Sequence, residues 1–493
     1  MKTENKSLGP KKVIGICHYK VGRTDGVSLE ILKREKMLKE VMGHEVILIA
    51  GTSGFSKKDK ENHKIELIPE LDFDYPKGHR DIDTGINIEN IKRKAFNGFD
   101  LEDDQKDKSK DELEAALFND IYKVANLIVD RFFKIFGQDD FDYLFLHNIF
   151  SHGRHIAAAM AFYTIIKKIN AKVVAVHHDF YEDYEGRYLV RNESRRVQMF
   201  LDKYVPPSLP GIKHVTINSI KQDQLENKLA QKGARPEHEI IVFPDTFNFD
   251  QDEWKEDGDN KDFLRTFNIK KNDLLILQAT RIVRRKAIEL TIDLIAELNK
   301  RKNELIGRRL YNNKTLTNSS AIILAFAQAE EQDAVRYKQE LIDLMHDKGV
   351  QYRFLYGQIE SERNNRDDNR KYRLWDAYVF ADMISYPSTW EGFGNQFLEA
   401  VFAKKPIILY EYPVFIEDIW RAEYFYVSLG RNKTAGENKL VSIPPGDLKK
   451  AVASAIDTLV NPRTLQRLEQ NFEIAKKCFG NEKLKEMLMK CLE

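Results

Sequence analysis

Ser388-Thr389-Trp390-Glu391-Gly392-Phe393-Gly394-Asn395-Gln396-Phe397-Leu398-Glu399 is the stretch on which the reading of this chain turns. Met383-Ile384-Ser385-Tyr386, just before it, reads as a buried strand, and the apolar run after Gly394 reads as a helix. Strand, glycine loop, helix is the grammar of an open α/β sheet, in which ligands bind beyond the carboxyl ends of the strands. Glycines let backbone come close to a ligand, and a helix start presents free N–H groups to an anion. Glu391 falls in the loop, and Glu399, eight positions on, falls about one turn into the helix. That spacing suits two hydroxyl-bearing parts of one ligand separated by a phosphate.

The same grammar extends in both directions. Downstream of Pro244, short apolar runs at 274–277, 321–327, 352–356 and 406–410 predict strands, and 287–298 predicts a helix. Upstream, strands are predicted at 12–17, 45–50, 143–146, 172–176, 214–217 and 240–243. A glycine loop, 18–26, follows the first, then a helix over 27–42 closed by Gly43. The alternation predicts mostly parallel sheets covered on both faces, hence an α/β fold class. We expect a first domain over 1–245, a second over 246–465 and C-terminal helices over 466–493 packing back on the first, with a ligand cleft between the two domains. The acidic stretch 248–260 reads as a linker, 301–318 as a polar surface insertion, and 101–110 as a solvated charge run. The apolar aromatic helix over 118–136 reads as core rather than membrane contact.

At 493 residues the chain is too long for one ordinary core. With 42% hydrophobic and 31% charged residues it reads as a soluble globular protein. Lys and Arg number 78 against 77 Asp and Glu, net charge +1, which argues against bulk attraction to nucleic acid. The three cysteines, Cys17, Cys478 and Cys491, have no metal-ligand spacing and read as thiols of a reducing compartment. No apolar run is long enough to span a bilayer and no signal-peptide core opens the chain, so a cytoplasmic location is expected.

Thr280-Arg281-Ile282-Val283-Arg284-Arg285-Lys286 lies between the first strand and first helix of the second domain. Arg281 and Lys286, five apart at a strand's carboxyl end, can converge on a diphosphate, Arg as a planar fork and Lys as a point charge. Alone, the segment reads equally as a solvated basic loop. A second loop of the same sheet carrying Glu391 and Glu399 favours the ligand reading.

On these residues, with the Gly22 to Gly26 loop, the chain resembles the retaining glycosyltransferases of family 4. The resemblance covers most of the chain in element order. It implies the GT-B fold, two facing Rossmann-like domains. It implies Arg281 and Lys286 on the donor's diphosphate, Glu391 with Gly392, Phe393 and Gly394 on the donor sugar, and Glu399 on the nucleotide ribose. Asn395 stands where the family often has an aliphatic residue, so it is an added donor contact and leaves the sugar's identity open. Gly22, Arg23 and Gly26 are expected near the donor phosphates, and Asp25 on an acceptor hydroxyl. The loop itself reads equally well as a plain turn.

Histidines follow two predicted strands, His147-Asn148 and His177-His178-Asp179. His178 resembles the family's cleft histidine that contacts donor sugar, with His147 and Asp179 expected on the acceptor side. Which histidine faces the cleft is not legible. The triplets Asp72-Phe73-Asp74 and Asp140-Phe141-Asp142 are assigned no metal, since Arg281, Lys286 and helix N-termini can neutralise a leaving diphosphate.

The resemblance thus implies a hexosyltransferase moving glucose or mannose from a UDP- or GDP-linked donor to an acceptor hydroxyl with retention. No tightly bound cofactor is expected, and the partners are a small-molecule donor and acceptor. A compatible-solute sugar acid or a sugar phosphate is the preferred acceptor, and residues 181–188, rich in Tyr, Glu and Asp, frame it or form a surface loop. The alternatives are a nucleotide-sugar 2-epimerase on the same fold and a non-catalytic nucleotide-sugar binder.

Overall fold

Alternate residues of the first strand feed two different cores. In β1 (Val13–Val21), Ile14 and Ile16 join one buried apolar cluster, and Cys17 and Tyr19 join another. Side chains of a strand alternate faces, so a strand that is apolar on both must be covered on both. The computed structural model describes residues 10–23, 25–76, 87–97, 109–180, 194–360, 362–364, 366, 369–436 and 439–493. The 181–188 stretch, Thr24 and most of 101–110 lie outside the described residues.

The chain divides into two units, Met1–Pro244 with Leu484–Glu493, and Asp245–Lys483. The first holds β1, β2 (Glu45–Ser53), β3 (Ile65–Leu67), β4 (Tyr143–His147), β5 (Lys172–His177), β6 (Ile212–Thr216) and β7 (Ile241–Val242). They form one parallel sheet in the order β3-β2-β1-β4-β5-β6-β7. β1 runs beyond the predicted end at Cys17, because its ladder with β2 continues to Val21 opposite Ser53. The loop therefore starts at Gly22, and His18 sits within the strand.

Helix α1 (Gly26–Lys36) lies over one face, contributing Ile31 to the cluster of Ile14 and Ile16. Helices α2 (Lys110–Ile135) and α3 (Ile156–Ile165) lie over the other. Ser109 and Glu112 form a reciprocal capping box that starts α2. Its Phe118, Ile121, Ile128 and Phe132 are all buried against the sheet, so this apolar stripe is core.

In the second unit β8 (Leu274–Gln278), β9 (Ile322–Phe326), β10 (Gln351–Phe354), β11 (Met383–Tyr386), β12 (Ile407–Leu409) and β13 (Val427–Ser428) form a parallel sheet ordered β10-β9-β8-β11-β12-β13. Helices α4 (Glu289–Lys300), α5 (Leu374–Phe380), α6 (Asn395–Phe402) and α7 (Thr464–Phe479) belong to it. The fold is α/β with two Rossmann-like units.

Three readings of the sequence change. Residues 248–260 are built into the second unit: Trp254 stacks on Trp375 with centroids 4.4 Å apart, and buried Asn260 donates to Asp376 Oδ1 at 2.9 Å. Residues 301–318 are not a mere surface insertion, since Leu305, Leu310, Tyr311 and Leu316 are buried. Their polar neighbours Asn312 and Lys314 bond the buried Asp382 carboxylate at 2.6 and 2.5 Å. Within 466–493, α7 stays with the second unit through Phe479. Only Leu484–Glu493, on helix α8 (Asn481–Leu492), group with the first. Leu484, Met487, Leu488, Cys491 and Leu492 repeat at helical spacing and join the cluster of Ile14 and Ile16. Among the described residues no helix is long and apolar enough to cross a membrane.

Candidate functional site

In the second unit the sheet order reverses between β8 and β11, and both candidate loops leave from these adjacent strands. That reversal is where an open α/β sheet leaves a crevice for ligands. After β8 the chain makes a tight turn, Arg284–Lys286, closed by Ala287 at φ +45°. This left-handed residue delays the helix, so α4 begins at Glu289 rather than at 287 as predicted. The turn carries Lys286 into the interior, where it is 6% exposed.

Lys286 Nζ pairs with Glu391 Oε1, and Arg285 Nη1 holds Glu391 Oε2 at 3.0 Å. Glu391 is itself only 9% exposed. Burial alone would raise its pKa, but Lys286 and Arg285 outweigh that and pull it down to about 2. Burial lowers Lys286 to about 8 against the support of Glu391, with Arg285 and Arg281 adding repulsion. Arg281 is not on Glu391. It is half exposed and pairs with Glu331 at 2.5 Å. Spacing pairs Arg281 with Lys286 for a diphosphate, and the cation that the fold sets beside Lys286 on Glu391 is Arg285. Four cations crowd residues 281–286, and spacing alone does not say which of them turns inward.

The loop after β11 is shaped by Gly394, at φ +146° as the N-cap of α6. A Cβ there would lie 2.2 Å from Tyr412 Oη. Tyr412 donates that hydroxyl to the Phe393 carbonyl at 2.7 Å, and the Phe393 ring meets Phe479 edge-on at 5.3 Å. Gly392 is half-buried between Glu391 and Phe393. Asn395 opens α6 and donates to Asp245 Oδ2 at 3.1 Å. Glu399 is half-buried and accepts the Tyr378 hydroxyl of α5 at 2.7 Å. Below the loops a buried polar chain ties the elements together. Ser385 donates to Gln278 at 2.6 Å and meets Thr291 at 2.7 Å, while Gln396 donates to the Ser385 carbonyl at 3.3 Å.

In the first unit the histidines meet where β4 and β5 end, beside His18 within β1. His147 Nδ1 bonds His178 Nε2 at 3.0 Å, and the His147 carbonyl bonds His18 Nδ1 at 2.9 Å. Burial, then the charge of Arg34, holds both His147 and His178 well below the ordinary histidine value, so the pair is neutral near pH 7. His147 Nε2 is buried with no hydrogen-bond partner among the described residues. Asn148, at φ +57°, accepts the N–H groups of His178 and Asp179 on its side-chain oxygen at 2.8 and 3.3 Å. It fixes the His178 loop, a role with no signal in the order of residues.

Asp25 is the N-cap of α1, accepting from Ser28 N at 3.2 Å and Ser28 Oγ at 2.8 Å. Gly22, at φ +68°, packs so tightly that a Cβ would lie 2.7 Å from the Phe55 ring. Gly26 has open space around it and Arg23 is exposed. Asp140 and Asp142 cap backbone instead of pointing to one centre: Asp140 accepts from Gly137 N at 2.8 Å and Asp142 from Val13 N at 2.7 Å. Among the described residues no group of three His, Cys, Asp or Glu could hold a metal ion.

No protein-family model matches the chain. It is similar to the mannosylglucosylglycerate synthase of Petrotoga mobilis, 35% identical over 458 residues, covering 93% of this chain and 95% of that one. It is 34% identical over 478 residues to the mannosylglucosylglycerate synthase of Thermotoga maritima, covering 96% and 98%. The chain is a GT-B glycosyltransferase of the family that holds these two synthases. As such a glycosyltransferase it is a hexosyltransferase that takes its sugar from a nucleotide sugar. Its fold is shared with the Anabaena protein Alr3699/HepE, solved in complex with UDP and glucose, at TM-score 0.54 and 15% identity, covering 98% and 99%.

Proposed function

We propose that this GT-B glycosyltransferase moves a mannosyl group from a nucleoside diphosphate mannose to a glucosylglycerate acceptor, with retention at the anomeric carbon. The observation that carries the reading is the near full-length similarity to two mannosylglucosylglycerate synthases. The product in that name is a mannosyl group on glucosylglycerate, a small sugar acid, so one transfer onto glucosylglycerate would make it.

The second unit's geometry supports a donor site. Lys286 and the half-exposed Arg281 are assigned to the diphosphate, with Arg281 leaving Glu331 to take it. Glu391, ionised throughout the physiological range, accepts from sugar hydroxyls, while the N–H groups of Gly392, Phe393 and Gly394 donate to sugar oxygens. Asn395 adds a polar contact at the start of α6. Glu399, oriented by Tyr378, accepts the ribose diol. In the first unit we assign His178 to the donor sugar and His147 and Asp179 to the acceptor. Arg23, flanked by Gly22 and Gly26, is assigned to the donor phosphates. Asp25 keeps an acceptor role only alongside its capping bonds.

In the step itself the bond between the anomeric carbon and the phosphate oxygen breaks, and its electron pair stays on the phosphate. The acceptor oxygen bonds the same face of that carbon, and its proton passes to the leaving phosphate. The cations stabilise the charge that develops, and positioning supplies much of the rest. No tightly bound cofactor takes part in this scheme.

The test is product analysis with GDP-mannose, UDP-mannose, GDP-glucose and UDP-glucose, each with glucosylglycerate, with glycerate and alone. We expect an α-mannosyl product from one mannose donor with glucosylglycerate. An epimer from donor alone would replace this reading with a 2-epimerase. Neither product nor hydrolysis would replace it with a non-catalytic binder.

A further inference from the structure

Glu391 carries two cations on a carboxylate that is almost wholly buried, and the two are attached differently. Lys286 reaches it with its ammonium alone. Arg285 is bound to three consecutive residues of the loop. Its carbonyl accepts the Thr389 N–H at 3.0 Å and the Thr389 hydroxyl at 3.3 Å. Its Nη1 donates to the Trp390 carbonyl at 3.1 Å and to Glu391 Oε2 at 3.0 Å.

This asymmetry matters once a donor arrives. A diphosphate competes with Glu391 for Lys286, because a flexible ammonium is a point charge that follows the stronger anion. A buried carboxylate left without a cation takes up a proton instead of staying charged. Protonated, it accepts fewer hydrogen bonds from a sugar. A guanidinium that also holds the Trp390 carbonyl, on a residue whose own backbone carbonyl is bound by Thr389, does not leave with the lysine.

We propose that Arg285 is a positioning residue that keeps Glu391 ionised and in place while Lys286 transfers from the carboxylate to the donor's diphosphate. This rests on the donor-site reading above and adds a division of labour between adjacent cations. Glu391 is faced by Lys286 and Arg285 from the turn after β8, by the Ser388 side chain from its own loop, and by Tyr386 and Tyr412 from β11 and the loop after β12. Arg281 acts on Lys286 through space. Both tyrosines are held far above their ordinary values by burial, so neither titrates in the working range.

The experiment measures affinity of the full chain for GDP, GDP-mannose, UDP and UDP-glucose between pH 5 and 9, in wild type, Arg285→Gln and Arg285→Lys. In Arg285→Gln we expect sugar-nucleotide affinity to fall at least tenfold at pH 6. Its acid limb should move up by a pH unit or more, while the bare nucleotide changes less than threefold. Arg285→Lys should return the limb toward wild type by restoring charge without the fork. Equal loss for GDP and GDP-mannose, or for UDP and UDP-glucose, would make Arg285 a phosphate ligand and overturn the proposal, as would an unmoved acid limb. If Arg285→Gln does not fold, the comparison is carried by Arg285→Lys and by Arg285→Gln with Glu391→Gln, in which no charge dependence should remain. No nucleotide binding by wild type would overturn the donor site itself, a result separate from these.

Discussion

Tyr378 donates its hydroxyl to Glu399 Oε2 at 2.7 Å, so the second glutamate of the loop-helix segment is aimed by a neighbouring helix. A hydrogen bond to a charged group contributes about 1.5–3 kcal/mol. Tyr378→Phe should therefore weaken nucleoside diphosphate binding about tenfold, and Glu399→Ala should weaken it further. Calorimetric titration with UDP and GDP checks both. An unchanged affinity in Glu399→Ala would remove the ribose assignment.

In the proposed scheme Lys286 holds the leaving diphosphate. Replacing it with Ala should lower turnover by roughly a hundredfold or more, the scale seen when a preorganised charge-stabilising donor is lost. The same variant strands Glu391 on Arg285 alone. Near-normal transfer by Lys286→Ala would end the leaving-group role.

The pH dependence has a defined sign. Lys286 loses its proton as pH rises through about 8, since burial lowers it to that value. Nucleoside diphosphate affinity should hold below that pH and fall above it, while Glu391, at about 2, stays ionised throughout. Affinity flat from pH 7 to 9.5 would contradict the lysine as a diphosphate ligand.

Gly394 has no room for a side chain. In Gly394→Ala the backbone would sit at a φ favoured only by glycine, a strain of about 1–3 kcal/mol, and the new methyl would meet Tyr412 Oη. We expect a lower melting temperature together with loss of donor binding. Tyr412→Phe, which removes only the bond to the Phe393 carbonyl, should be milder in both measurements.

Truncation after Lys483 removes five apolar side chains from the first unit's core. Burying one such side chain contributes about 1.5–3 kcal/mol as an upper estimate. The shortened chain should show a clearly lower melting temperature or bind a hydrophobic dye. Unchanged thermal unfolding would mean that the α8 stripe contributes little.

Sequence alone determined the fold class, because apolar runs of strand length alternating with helical periods leave few arrangements other than covered parallel sheets. It also singled out Glu391, Glu399 and Lys286 as candidates, because their residue types stand out against glycine loops at strand ends. It did not choose among adjacent cations. Arg281, Arg284 and Arg285 look alike in a string, and only the turn closed by left-handed Ala287 turns Lys286 inward and sets Arg285 on Glu391. Nor did it see that Trp254 and Tyr311 make polar-looking segments part of a core, or that Tyr378 and Asn148 aim Glu399 and the His178 loop. Periodicity is a local property of the chain and is written along it. The partners of a buried charge come from distant positions, and only folding brings them together.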